Sequence, residues 1–257
     1  MKHALHAEWT KLRTAPGSGW LAAGAISLTA GLSVAVAAAV TYSGGTEQDP
    51  AKISLTGVQL GQAVIAILAV LAISGEYSTA MIHTTLAAMP RRSTMLAAKA
   101  VVLTGTVFAA GVVAVLASVL AGRLLLPGNG FTAAHGYPPL SLGDGSTLRA
   151  AAGSVLYLVL IGLLALGVAT AVRDSATGIG VVLALLYVFP IVASVVTDPH
   201  WQRHLRQLGP MAAGLAIQAT TNLRTLPISP WAGLGVLAAW AAAAMLVGAL
   251  TLRLRDA

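Results

Sequence analysis

The feature that most constrains this chain is the spacing of its charged side chains. Only 9% of its 257 residues are Asp, Glu, Lys or Arg, and 57% are hydrophobic. A charged side chain at the centre of a bilayer costs about 2.5 to 3.5 kcal/mol on insertion scales, so membrane spans must lie between charges. Each crossing also needs about 20 apolar residues. Six charge-free windows satisfy both conditions: 14–46, 53–75, 100–122, 150–172, 175–197 and 225–252. The chain is therefore predicted to be an all-α integral membrane protein with six transmembrane helices.

The working spans differ from these windows at their ends, and the third begins before Lys99. The spans are predicted at about 20–41, 57–74, 96–122, 151–172, 178–196 and 231–252. The stretch 124–143 is predicted to be a loop, because Pro127, Pro138 and Pro139 remove backbone hydrogen bonds that lipid cannot replace. Residues 197–230 are predicted to be an extracytoplasmic loop with short helices. One transmembrane domain is expected over residues 1–257.

The flanking cations indicate the orientation of these spans. Six crossings put both termini on one side of the membrane. Placing the termini in the cytoplasm leaves nine Lys and Arg residues inside and six outside. Cytoplasmic loops of membrane proteins carry an excess of Lys and Arg, so both termini are predicted to be cytoplasmic.

Several kinds of chemistry are excluded by residues that the sequence lacks. There is no Cys, and none of the four lysines precedes Ser or Thr as a phosphate-binding P-loop requires. No His, Asp or Glu falls within the six predicted spans, which argues against intramembrane hydrolysis and proton-coupled transport. The basic residues are scattered, which argues against nucleic acid as a partner. The chain is therefore predicted to be neither an enzyme nor a metal protein.

Two cytoplasmic segments have the pattern of amphipathic helices. In residues 1–16, Leu5 and Trp9 lie one turn apart among polar residues, which is typical of a helix lying on the membrane surface. A frayed terminus is the alternative. In the segment 75–92, a helix is predicted to begin near Gly75, with Glu76 in its first turn, and to end before Pro90. Such a helix would fit a groove on a partner protein, or else rest on the membrane as a tight loop.

Polar and small residues within the spans are candidates for a translocation path or for helix packing. Gln59 and Gln62 lie one turn apart in the second span, and Pro190 interrupts the fifth span beside Tyr187 and Phe189. These five residues either line a translocation path or make ordinary contacts between helices. Ridges of small residues at intervals of four predict close helix packing; they comprise Ser27, Gly31, Ala35 and Ala39 in the first span and Trp240, Ala244 and Gly248 in the last.

Four stretches of sequence together resemble one family. They are Glu8-Trp9-Thr10-Lys11-Leu12-Arg13-Thr14, Gly75-Glu76-Tyr77-Ser78-Thr79, Pro90-Arg91-Arg92 and Ser229-Pro230-Trp231. In this order they resemble bacterial ABC transporter permeases of the type 2 exporter class, over the full length of the chain. Ala80 and His83 differ from the Gly and Arg that are common at those positions of the family.

The resemblance implies a half-transporter in the bacterial plasma membrane. It implies a second permease copy, as a homodimer or heterodimer, and a separate P-loop ATPase subunit that holds the ATP and Mg, with no cofactor in this chain. The segment 75–92 would then be the coupling helix that contacts the ATPase. Its expected contact residues are Gly75, Glu76, Tyr77, Met81, Ile82, Thr85, Leu86, Arg91 and Arg92. The cargo would be a small amphiphile, drug, peptide or lipid.

Two other functions are compatible with the sequence. A multi-span membrane anchor or sensor could use the same cytoplasmic helix to recruit a partner without transporting anything. An ion-coupled carrier could act alone, using backbone carbonyls and hydroxyls to bind its ion.

Overall fold

The computed structural model describes residues 2–14, 16–43, 48–78 and 92–255, which form helices joined by turns and loops. The α-helices in these ranges are α1 (Lys2–Thr14), α2 (Pro16–Ala39), α3 (Pro50–Ser54), α4 (Val58–Ser78), α5 (Arg92–Leu125), α6 (Gly145–Val172), α7 (Ser175–Val195), α8 (Pro199–Leu208), α9 (Pro210–Gly214) and α10 (Pro230–Arg255). Short 3-10 helices occupy Leu126–Asn129, Ala133–His135 and Leu215–Gln218. Six of the α-helices, namely α2, α4, α5, α6, α7 and α10, are long and apolar enough to cross a membrane.

The prediction of six apolar helices is confirmed, but four of them, α4, α5, α6 and α10, extend past their charge-free windows. The helix α4 continues through Gly75, Glu76 and Tyr77 to Ser78, so the prediction that a new helix begins near Gly75 was wrong. Glu76 therefore lies at the C-terminal end of a helix, where the dipole disfavours an acid. Two lysines neutralise it there, as described below. Of the other predicted coupling residues, Arg92 is the first residue of α5, and Met81, Ile82, Thr85, Leu86 and Arg91 lie outside the described residues.

The helix α6 lies at the centre of the bundle. It packs against α4, α5, α7 and α10. In its most apolar window 67% of the residues are buried, against 22% in the corresponding windows of α2 and α7, which lie at the periphery. Outer helices of this kind keep apolar side chains exposed, as lipid-facing surfaces do.

Small residues allow α6 and α10 to approach closely, as the ridge in the last span predicts. A Cβ added to Gly167 of α6 would lie 2.4 Å from the backbone carbon of Ala244, and one on Gly248 of α10 would lie 2.8 Å from the carbonyl oxygen of Gly167. Close backbone contact of this type is the main attraction between helices in lipid.

The ridge predicted in the first span does not pack inside this bundle. Its members, Ser27, Gly31, Ala35 and Ala39, are exposed in this chain. The buried stripe of α2 contains Thr29 and Ser33 instead, which pack against Gly57 and Gly61 at the start of α4. The Ser33 hydroxyl accepts a hydrogen bond from the Gly57 backbone at 3.1 Å, so this polar group is satisfied inside the bundle.

The helix ends define two faces of the bundle. The terminal face carries α1, the end of α4, the start of α5, the α6–α7 connection and the end of α10. There Arg173 donates to the Thr251 carbonyl oxygen at 3.2 Å. The distal face carries the loops between α2 and α4, between α5 and α6, and between α7 and α10. On that face Asp49 accepts hydrogen bonds from Thr220 and Thr221, which joins the first of these loops to the last.

Short helices occur within residues 197–230. The helix α8 is exposed, whereas α9 and the 3-10 helix after it are largely buried against the bundle. Gly214 packs against the Tyr157 ring, and Ile217 against Gly153. Five residues of α-helix are too few to cross a membrane, so this segment enters the bundle from the distal face and returns to it.

Aspartates begin four of the helices. Asp49, Asp144, Asp174 and Asp198 each accept a hydrogen bond from a backbone N–H of the first turn. Hydrogen bonds from the Thr177 hydroxyl and backbone hold the pKa of Asp174 below its ordinary value. A lowered pKa means that this cap stabilises the fold at neutral pH and is lost only as the pH falls through the acidic range.

Candidate functional site

Four charged side chains from three helices meet at the terminal face. Glu8 and Lys11 come from α1, Glu76 from the last turn of α4, and Lys99 from the second turn of α5. Glu8, Lys99 and Glu76 are only 3%, 4% and 7% exposed. We call these four residues the ion cluster. Charges are buried only when they are paired, so their mutual geometry determines whether the site is stable.

Lys99 is the centre of the ion cluster. Its ammonium nitrogen Nζ lies 2.6 Å from Glu8 Oε2, 3.0 Å from Glu76 Oε1 and 3.0 Å from the carbonyl oxygen of Ala72. A lysine ammonium has three protons to donate, and these three acceptors use all of them. Lys99 therefore joins α1, α4 and α5 at a single buried point.

Lys11 completes the ion cluster from its outer side. Its Nζ lies 3.0 Å from Glu76 Oε1 and 3.2 Å from Glu8 Oε1. Partial burial disfavours the charged ammonium, but the Glu76 and Glu8 carboxylates outweigh this effect and raise the pKa of Lys11 above its ordinary value. Lys11 therefore stays charged at physiological pH. The stability that it contributes is lost only as the pH rises through its raised pKa.

A cavity of about 430 Å³ lies beside the ion cluster, between α1, α2, α4 and α5. Its lining residues are Glu8, Lys11, Thr14, Gly17, Ser18, Leu21, Leu68, Leu71, Ala72, Gly75, Glu76, Lys99 and Val102. The second carboxylate oxygen of Glu76, Oε2, is buried and has no hydrogen-bond partner within the described part of the chain. A buried carboxylate oxygen without a donor is unusual, because each such atom costs free energy.

Gly75, Glu76 and Tyr77, three of the predicted coupling residues, lie at this site. Gly75 and Glu76 line the cavity. The Tyr77 ring lies 5.5 Å from the guanidinium carbon of Arg173, which stands between α6 and α7. The end of α4 is thus linked both to the ion cluster and to the next connection on the terminal face.

The candidate path residues separate into two groups. Gln62 is fully buried; its Nε2 donates to the Tyr187 hydroxyl at 3.3 Å and its Oε1 accepts from the Tyr157 hydroxyl. The Tyr187 hydroxyl in turn donates to the carbonyl oxygen of Gln59 at 2.8 Å. These groups satisfy one another between α4, α6 and α7, as interhelical hydrogen bonds do within a bundle.

Phe189 and Pro190 lie apart from that network. The Phe189 ring makes an edge contact with Trp240, with the ring centroids 6.2 Å apart. Pro190 lies inside α7, which continues past it to Val195. None of the five candidate path residues lines the 430 Å³ cavity.

Sequence reasoning missed the ion cluster, although the scarcity of acidic residues contained a signal for it. The chain has eight Asp and Glu residues, and six of them lie in the described ranges. Four of these six are the aspartates that begin helices. Glu8 and Glu76 remain, and Lys99 stands just before the charge-free window of the third span. Charged residues that lie at the edges of apolar windows and do not begin a helix are candidates for pairing with one another.

Comparison with known proteins finds no family model that matches the chain and no curated protein similar to it. The chemistry of the site is therefore the basis for inferring its function. Within residues 2–14, 16–43, 48–78 and 92–255, no three His, Asp or Glu side chains are grouped as metal ligands. The ion cluster has equal numbers of acids and bases and is formally neutral. It connects α1, α4 and α5 through buried ion pairs, and it forms the polar end of the cavity.

Proposed function

We propose that this chain is the membrane-spanning permease subunit of an ATP-binding-cassette exporter that is driven by a separate ATPase. The observation that carries the proposal is the ion cluster, which joins α1 to the two helices that flank residues 79–91. The sequence of that segment and of α1 resembles the corresponding parts of type 2 exporter permeases. Six apolar helices are also the number that such a permease has.

The geometry explains how motion at residues 79–91 would reach the bundle. The segment continues directly from the end of α4 and leads directly into α5. Glu76 and Lys99 hold these two helix ends together, and Glu8 attaches α1 to both. Separating a buried ion pair is strongly unfavourable, so the three helix ends are expected to move as one body when an ATPase displaces the segment.

We also propose an orientation in the membrane and two protein partners. The terminal face is cytoplasmic in a bacterial plasma membrane, and the ATPase docks there with its ATP and Mg. A second permease copy lies in the bilayer beside this one. The exposed small residues of α2, from Ser27 to Ala39, offer a surface on which another helix could pack closely.

A binding experiment tests the ATPase partner. The chain is co-expressed with any P-loop ATPase that an adjacent reading frame is found to encode, and it is purified through a tag on the chain. We expect the ATPase to co-purify, and we expect Leu86→Asp to reduce its yield at least tenfold, because Leu86 is one of the predicted contacts with the ATPase and a charge there would oppose an apolar contact. Leu142→Asp, at an exposed position on the distal face, is the matched control and should leave the yield unchanged.

Transport is then measured with the complex in vesicles. Export of an amphiphilic dye that requires ATP and is lost in Leu86→Asp supports the permease. Co-purification without any ATP-dependent flux indicates an anchor instead. Flux by the isolated chain under an ion gradient indicates a carrier. Either of these last two results contradicts the proposal.

The orientation can be tested because the chain has no cysteine of its own. Ala176, in the first turn of α7 on the terminal face, and Ala134, on the distal face, are both exposed. In intact cells, a membrane-impermeant maleimide should label Ala134→Cys, whereas Ala176→Cys should react only after permeabilisation. The reverse pattern would place the terminal face outside and would exclude a cytoplasmic ATPase.

A further inference from the structure

The cavity beside the ion cluster has an apolar part and a polar part. Leu21, Leu68, Leu71 and Val102 contribute apolar side chains, and the polar part contains the ion cluster with Thr14 and Ser18. Its volume of about 430 Å³ is within the range of small-molecule sites. Leu71 is 39% exposed, so the apolar part opens to the surface of a helix that is long enough to span the membrane. This shape suits an amphiphile better than a wholly polar solute.

The hydrogen bonds of the ion cluster determine which head group it can receive. Lys99 already donates to three acceptors, and Lys11 already donates to both carboxylates. Among the carboxylate oxygens of the ion cluster, Glu76 Oε2 has no donor in the described ranges. Glu76 Oε2 is therefore a hydrogen-bond acceptor without a donor, and a ligand that binds it must supply an N–H or O–H group.

We infer that the cavity binds an amphiphile whose head is a primary or secondary ammonium group, with an N–H donating to Glu76 and an apolar tail along Leu21, Leu68 and Leu71. The acids and bases of the ion cluster balance, so the cluster does not repel a cation as a net positive site would. An anionic head would instead meet two carboxylates, and the three protons of the Lys99 ammonium are already donated. The terminal torsion of a glutamate is soft, so a small rotation of the Glu76 carboxylate presents Oε2 to the ligand.

A quaternary ammonium is the discriminating comparison. It has the same charge as a protonated amine but no N–H, so it cannot satisfy the free oxygen of Glu76. The inference concerns binding alone and does not depend on transport or on an ATPase. It can therefore fail while the proposed function holds, and the reverse is also true.

The experiment uses the purified full-length chain in phosphatidylcholine nanodiscs. A long-chain alkylamine that carries a diazirine is cross-linked by light, and the labelled peptides are identified by mass spectrometry. We expect labels in peptides that contain residues 14–21 and 68–76. Dodecylamine should suppress the label at concentrations at least tenfold lower than dodecyltrimethylammonium. Equal suppression by the two amphiphiles would overturn the hydrogen bond to Glu76.

A glycine pair supplies a variant and its control without altering any charge. Gly17 lines the cavity and Gly19 does not, and a Cβ at either position meets no atom within 4 Å. Gly17→Leu should place a side chain in the cavity and reduce labelling at least tenfold, whereas Gly19→Leu should leave it unchanged. Undiminished labelling in Gly17→Leu, with both variants folded, would overturn the location of the site.

The same ammonium chemistry can come from a membrane lipid or from a free amine. Nanodiscs that contain phosphatidylethanolamine distinguish these sources, because its head group carries a primary ammonium. If labelling falls in these nanodiscs relative to phosphatidylcholine, the occupant is a lipid; if labelling is equal, the site selects free amines. Both results support an ammonium site when Gly17→Leu reduces the label. The absence of label in both kinds of nanodisc would contradict the inference.

Discussion

Lys99→Met is expected to lower the free energy of unfolding by about 3 to 5 kcal/mol, which is typical when one partner of a buried ion pair is removed. Methionine nearly fills the space of the lysine stem, so the loss would come from charge and not from a void. Glu8 and Glu76 would remain buried with Lys11 alone to neutralise them. The measurement is unfolding of the detergent-solubilised chain by sodium dodecyl sulfate, followed by tryptophan fluorescence.

Two further variants separate this explanation from a general effect of losing a lysine. Lys52→Met removes an exposed lysine on the distal face and should change stability by less than about 0.5 kcal/mol. Glu8→Gln combined with Lys99→Met leaves Glu76 paired with Lys11, so the double variant should recover part of the loss. If the double variant is less stable than Lys99→Met, repulsion between unpaired carboxylates is not the cause.

Lys99→Met should also release α1 from the bundle. Glu8 and Lys11 are the residues through which α1 joins the ion cluster, and Glu8 is bound to Lys99 at 2.6 Å. Hydrogen exchange of the backbone amides in α1 should therefore be faster in Lys99→Met than in the parent chain, while exchange in α6 stays slow. Unchanged protection of α1 would show that its apolar contacts, such as buried Ala4, are sufficient to hold it.

The six apolar helices could be predicted because the free energy of placing a charge in lipid depends mainly on local sequence. The same rule misplaced the helix ends. It ended the second span before Glu76, whereas α4 continues past that residue, and it began the third span at residue 96, whereas α5 begins at Arg92. A charge can lie inside a helix end when a partner from another helix neutralises it, and no window along the sequence contains that information.

The geometry of the ion cluster was not predictable for a related reason. Lys99 is 91 residues from Glu8 and 23 from Glu76, and the contacts depend on how far each helix slides and rotates against its neighbours. Which face of the first span packs inside the bundle was not predictable for the same reason. Residue size favoured Gly31 and Ala35 as the packing face of α2. The glycines at the start of α4, Gly57 and Gly61, contact Thr29 and Ser33 instead. The buried face of α2 is thus determined by its partner helix.

Gly167→Leu is expected to prevent the normal packing of α6 against α10. A Cβ at this position would lie 2.4 Å from the carbon and 2.7 Å from the oxygen of the Ala244 carbonyl. These atoms belong to the backbone and cannot move aside as a flexible side chain can, so the two helices would have to separate. Overpacking of a core costs about 1 to 3 kcal/mol where side chains can adjust, and this contact should exceed that range. The expected result is loss of the monodisperse species in gel filtration.

Gly180→Leu is the matched control for this steric explanation. Gly180 lies in α7, is exposed, and has no atom within 4 Å of an added Cβ. Leucine is a better helix former than glycine by about 0.8 kcal/mol, so Gly180→Leu should be as stable as the parent or slightly more stable. In lipid no water is released when helices associate, so their attraction depends on close contact. Equal stability of the two variants would therefore mean that α6 and α10 are not held by their glycine contact.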